Sequence, residues 1–150
     1  MKKFLRILSN VYNIQIKTLK HEFGTFKKYR ILHFSDFHIG NFDDSHVEYV
    51  VELINMQEVD FVVFTGDIVC DRHEELTKSK LDILSRIRHT VYAILGNHDY
   101  NLYTNSTKRE KIRSFRTVLQ KMSSIGWIYL INENTTFEEL QLVGTDDKGL

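Results

Sequence analysis

The chain contains no proline, although ordinary usage would supply about seven in 150 residues. That excludes a proline-rich linker and argues against two domains joined by a hinge. Cysteine is nearly missing too. Cys70 stands alone, so no internal disulfide can form, and a reducing, cytoplasmic setting fits. Neither sign of charge is in excess, with 20 basic and 20 acidic residues. No basic field or nucleic-acid-binding patch is expected, and there is no acidic tail. No long apolar run occurs either. Residues 1–8 open like a signal peptide, but Arg6 interrupts the apolar stretch and no small-residue cleavage site follows. The stretch is too short to span a bilayer and leaves room only for a weak peripheral contact.

What is present is an ordinary globular composition, 42% hydrophobic and 27% charged. The length suits one domain with a real core. Within it, residues 1–28 read as an N-terminal extension with a first strand over 11–20 and a turn over 21–28. Residues 29–150 read as the core that bears the polar motifs. Strands are predicted over 29–35, 60–65, 89–95, 127–131 and 140–143. Ser45 and Glu48 form a capping-box pattern ahead of a helix whose Val47, Val50, Val51 and Ile54 share one face. Asp71 and Glu74 offer a second cap, before a helix marked by Leu76, Lys80, Ile83, Leu84 and Ile87. A third helix spans 108–123, with Ile112, Phe115, Leu119 and Met122 inward and Arg109, Arg113, Arg116 and Lys121 outward. Residues 36–44, 101–107 and 132–134 read as loops and turns. Strands alternating with helices imply βαβ units, hence an α/β fold with a largely parallel sheet.

Three of the predicted strands run directly into residues that can bind metal. The first leads to Asp36-Phe37-His38, the second to Gly66-Asp67 and the third to Gly96-Asn97-His98-Asp99. In open α/β sheets the carboxyl ends of strands are where ligands bind. Asp36 and His38, two apart on an extended segment, face one side. Asp67 can use both carboxylate oxygens to bridge two ions, and Asn97 offers an amide oxygen. Mixed oxygen and nitrogen donors suit Mn, Fe or Zn, and the lack of thiolates argues against a structural zinc site. Two such ions, roughly 3.5–4 Å apart, hold a bridging hydroxide and clamp a phosphate for in-line attack. His98, beside a ligand but spare itself, is placed to donate a proton to the leaving alkoxide or to stabilise the charge there, with Asp99 to orient its ring. Of the other histidines, His33 reads as a satisfied sheet residue. Cys70 reads as a small buried hydrophobe rather than a nucleophile.

These residues resemble the calcineurin-like metallophosphoesterase superfamily, whose motifs are Asp-x-His, Gly-Asp and Gly-Asn-His-Asp/Glu, each after a strand. Here they stand about thirty residues apart, and the likeness runs from Tyr29 to Gly144. Asp-x-His and Gly-Asp are weak signals singly. Gly-Asn-His-Asp arises by chance in roughly one chain of this size in a thousand. Ser35-Asp36-Phe37-His38-Ile39-Gly40 and Thr65-Gly66-Asp67-Ile68-Val69 resemble the bacterial phosphodiesterase branch. The resemblance implies the first half of an αββα sandwich. It also implies hydrolysis of a phosphomonoester or phosphodiester through two divalent transition metals.

The same resemblance implies a C-terminal half that carries three more histidine ligands. No histidine follows His98 in this sequence. One site would keep Asp36, His38 and Asp67, and the other only Asp67 and Asn97. The expectation is therefore a truncated phosphoesterase domain, or one piece of a two-chain enzyme whose partner supplies the missing half. A non-catalytic remnant that binds metal weakly or associates with another chain is the alternative. Without a second sheet, one face of the present sheet is expected to expose apolar surface.

Overall fold

The computed structural model describes residues 28–70, 72–100 and 107–146, together with Lys17 and Asn105. The strand expected over 11–20, most of the turn over 21–28, the Asp71 cap and most of the 101–107 turn lie outside the described residues.

Four strands, β1 (Ile31–Phe34), β2 (Phe61–Thr65), β3 (Val91–Ile94) and β4 (Ile128–Tyr129), form a sheet in the order β1-β2-β3-β4. Every pairing in it is parallel, as the alternation of strands and helices requires. The observed strands are one to three residues shorter than the apolar runs. His89, predicted at a strand start, lies outside β3.

Three helices connect the strands: α1 (Asp44–Asn55), α2 (Lys78–Leu84) and α3 (Lys108–Ser124). They cover one face. Val47, Val51, Ile54, Ile83, Leu84, Val118 and Met122 pack there against Val62, Phe64, Val91 and Ala93. Fully burying an aromatic such as Phe64 stabilises the fold by about 2–3 kcal/mol. No helix among the described residues is long and apolar enough to cross a membrane.

The helix starts correct two expectations. The cap of α1 is Asp43, not Ser45. The Asp43 carboxylate accepts His46 N–H at 2.9 Å and the Ser45 hydroxyl at 2.9 Å. Glu48 instead faces outward and pairs with Arg86 at 3.1 Å. Asp43 prevails because its backbone is extended, as an N-cap requires, whereas Ser45 already lies in the first helical turn. The second helix also starts late. Glu75 accepts the N–H of Cys70 at 2.7 Å and of Arg72 at 3.3 Å, which curls His73–Glu75 into a 3-10 turn. Thr77 then caps α2 by accepting from Lys80 N at 3.3 Å. At α3 a Thr107–Glu110 capping box closes the start, with Glu110 accepting Thr107 N–H at 2.7 Å.

The stretch read as a turn at 132–134 opens a strand. β5 (Glu133–Phe137) and β6 (Leu140–Gly144) form an antiparallel hairpin, with Asn132 and Glu138 at positive φ on either side of β5. Three polar residues, Glu133, Asn134 and Thr135, masked β5 from a hydrophobicity reading. The hairpin lies on the sheet face opposite the helices. Phe137, Leu140 and Leu142 pack against Phe61, Tyr92, Leu130 and Val63, and the Phe61 and Phe137 rings are 4.7 Å apart. That face is thus partly covered, while Ile31 and Ile128 remain 48% and 41% exposed. His33 lies on the same face and meets the Thr65 hydroxyl at 2.7 Å, a sheet contact rather than a site.

Candidate metal centre

All three polar motifs emerge at one edge because β1, β2 and β3 are parallel neighbours in register, so their carboxyl ends coincide. Past the strands, the first loop continues to follow the second. Asp36 N–H donates to Gly66 O at 3.0 Å, His38 N–H to Asp67 O at 3.0 Å and Ile39 N–H to Ile68 O at 2.9 Å. To keep these bonds, Asp36, His38 and Asp67 take positive φ values of 55°, 46° and 61°. Such backbone is costly for residues with a Cβ and persists where its surroundings over-determine it, often at functional sites.

The glycines permit the second and third loops to touch. A Cβ on Gly66 would overlap the Gly96 backbone, and a Cβ on Gly96 would overlap the Asp67 carboxylate. In that contact Asp67 Oδ1 accepts the backbone N–H of His98 at 2.9 Å.

Asp99 braces the same two loops from beneath. Its carboxylate, 0% exposed, accepts four backbone amides. Oδ2 takes Asp67 N at 2.9 Å and Gly96 N at 3.0 Å. Oδ1 takes Ile68 N at 2.9 Å and Val69 N at 3.2 Å. Burial is the dominant influence and pushes its pKa up to about 6, against the lowering effect of the Gly96, Val69 and Asp67 amides. The nearby Asp67 charge raises it further. The expected partner of Asp99 was the His98 ring, whereas these four bonds all run to main chain.

His38, Asp67 and His98 each place one donor atom within 4.8 Å of the others. The two imidazoles meet edge to face with centroids 4.7 Å apart. Nδ1 of His98 contacts the Cys70 carbonyl oxygen. A carbonyl only accepts, so Nδ1 carries the hydrogen of this contact. Two nitrogens and a carboxylate oxygen at this spacing fit a divalent transition metal. The grouping departs from the sequence reading in two respects. His98 stands among the donors rather than beside them. Asp36, exposed at the rim, is outside the group, and its carboxylate takes the Ser35 hydroxyl. Asn97 is half-buried between Gly96 and His98.

The Cys70 carbonyl could not be found from sequence, because every residue has one and only the fold aims it. Cys70 is half-buried, with its sulfur 3.7 Å from the His38 carbonyl. Gly40 lets Glu75 approach the first loop, since a Cβ there would overlap that carboxylate.

Comparison with known proteins shows the family. The chain is 34% identical over 129 residues to an uncharacterized metallophosphoesterase, YkoQ, of Bacillus subtilis, covering 81% of this chain and 44% of that protein. It is 36% identical over 77 residues to an uncharacterized metallophosphoesterase of Helicobacter pylori, covering 49% of this chain and 20% of that one. The UDP-2,3-diacylglucosamine pyrophosphatase LpxG of Chlamydia trachomatis is 29% identical over 106 residues, 64% of this chain and 30% of LpxG. The chain therefore spans less than half the length of each of these relatives. The family profile described as calcineurin-like phosphoesterase matches residues 29–148, which takes in every donor above, and the chain belongs to that family.

Proposed function

We propose that the chain carries a metal-dependent phosphoesterase centre acting on a phosphomonoester or phosphodiester. The observation that supports this reading is the convergence of His38, Asp67 and His98 within 4.8 Å at the ends of parallel strands. His38 and Asp67 are the principal metal-holding residues, and Asp36 and Asn97 on the same loops add a carboxylate and an amide oxygen. Bound there, Mn, Fe or Zn would activate water and neutralise charge on the phosphate oxygens.

The chain's own residues supply the rest. In its doubly protonated form, with Nδ1–H held by the Cys70 carbonyl, His98 would use Nε2–H to hand a proton to the departing oxygen and be left neutral. Asp99 acts on His98 and Asp67 through the backbone it braces. A sugar-nucleotide pyrophosphate belongs in the substrate panel, because the Chlamydia relative is named a pyrophosphatase. The test is turnover of bis-p-nitrophenyl phosphate with Mn²⁺. Asp67→Ala should abolish it, and turnover that is absent, or unchanged in the variant, overturns the proposal.

A second reading is favoured by one observation. Among the described residues, a single group of three donors comes together. In that reading the chain holds one ion, and the donors for a second come from other polypeptide, such as a second chain. Calorimetric titration with Mn²⁺ separates the two. One ion per monomer supports the second reading, and tight binding of two overturns it.

A further inference from the structure

The chain is neutral overall, yet its charge is not evenly spread. α3 holds six basic residues and one acid, Glu110. Glu110 is committed to the capping box. Lys121 is committed to the carbonyls of His73 and Leu76, at 2.8 and 2.9 Å. Arg109, Arg113 and Arg116 are different. They follow one another at i, i+4 and i+7, so they share one stripe of the helix, and all three are exposed. None has an ion-pair or side-chain hydrogen-bond partner among the described residues. Elsewhere on the surface, Arg30 and Arg86 are paired with Glu58 and Glu48. Like charges at this spacing repel and destabilise a helix. The three arginines line a shallow groove of about 570 Å³ with Ile112, Thr117, Gln120 and the capping-box acid Glu110.

The groove's place in the fold connects it to the metal centre. α3 follows β3 and returns to the parallel strand β4, so it runs back down the sheet from the edge that carries the ligand loops. Arg109, in its first turn, is nearest that edge. Tyr100, two residues past His98, packs its ring 5.1 Å from Phe115, the neighbour of Arg116.

We propose that this arginine row is a docking rail for the backbone of a single-stranded phosphodiester polymer whose scissile phosphate lies at the metal centre. This rests on the phosphoesterase reading above. The row rises about 6 Å and then 4.5 Å along the helix, which presents cations in series to successive phosphates. Arginine suits phosphate because its planar fork bonds two oxygens at once. A membrane surface fits less well. Among the described residues, the exposed large apolar side chains Ile31, Met56, Ile128 and Val143 all lie on other elements, whereas interfacial helices insert apolar side chains. No aromatic side chain among the described residues lines the groove, so recognition is of the backbone and independent of base sequence.

The test is fluorescence anisotropy with labelled oligo-dT and oligo-dA in EDTA, so that binding is read apart from turnover. The 150-residue chain is compared with the Arg109→Gln/Arg113→Gln/Arg116→Gln variant, whose fold is checked by circular dichroism. Loss of the three arginines should weaken binding at least tenfold. It should also flatten the slope of log K against log salt by about 2, at roughly 0.7 per phosphate contact. The corresponding triple lysine variant should keep the salt slope. Arginine-dependent binding by a protein that fails to turn over bis-p-nitrophenyl phosphate upholds the rail while overturning the catalytic reading. The rail is overturned by equal affinity and slope in the glutamine variant. It is equally overturned if the arginines govern binding to phosphatidylserine vesicles and not to oligonucleotide.

Discussion

Asp67 Oδ1 accepts the backbone N–H of His98 at 2.9 Å, so a carboxylate at the end of β2 fixes the loop that carries a histidine at the end of β3. The two metal-site loops are therefore one mechanical unit. A disturbance to either should appear at both.

Gly96 gives the sharpest test of that coupling. A methyl group there would occupy the space of the Asp67 carboxylate. Gly96→Ala should weaken Mn²⁺ binding about 10- to 100-fold, as loss of a ligand's support does. It should also destabilise the protein by about 1–3 kcal/mol through overpacking. Calorimetry and urea unfolding measure the two, and unchanged metal affinity would contradict the coupling.

Asp99 should make the metal-free protein pH-sensitive. Its pKa is about 6 in the fold against a model-peptide value of 3.8, so the folded state holds the proton more tightly. The contribution of Asp99 to stability is then greatest below pH 4, falls as pH rises towards 6, and levels off above that. A pKa rise of this size corresponds to about 3 kcal/mol. Urea titrations between pH 4 and 7 should show the decline, and Asp99→Asn should remove it.

The start of α1 can be assigned by a pair of variants. Asp43→Ala removes the side chain that accepts His46 N–H and should lower Tm by about 2–4 °C. Ser45→Ala removes only a hydroxyl that donates to Asp43 and should shift Tm by less than about half as much. Thermal melts with the reverse ranking would restore Ser45 as the cap.

Phe64 sits where β2 meets the helices, fully buried, with the Phe34 ring at 4.8 Å and the Trp127 ring at 5.4 Å. Phe64→Ala should cost about 3–5 kcal/mol. On the opposite face Phe137→Ala should cost less, since Phe137 is only half-buried beneath the hairpin. Equal losses would mean that the hairpin face is packed as tightly as the helix face.

The sequence alone determined the βαβ order, the parallel sheet and the three loops that carry the candidate donors. Each apolar run is long enough to be a strand, and each ends at polar residues that a sheet edge must deliver to solvent. Helix faces were readable for the same reason, since periodicity is local. Tertiary structure decided what depends on residues far apart in the chain. It set Asp99 beneath four amides of two loops, drew His98 into the donor group and turned its Nδ1 to the Cys70 carbonyl. It brought a polar strand, β5, onto Phe61, where contact with a distant aromatic outweighs the weak local pattern.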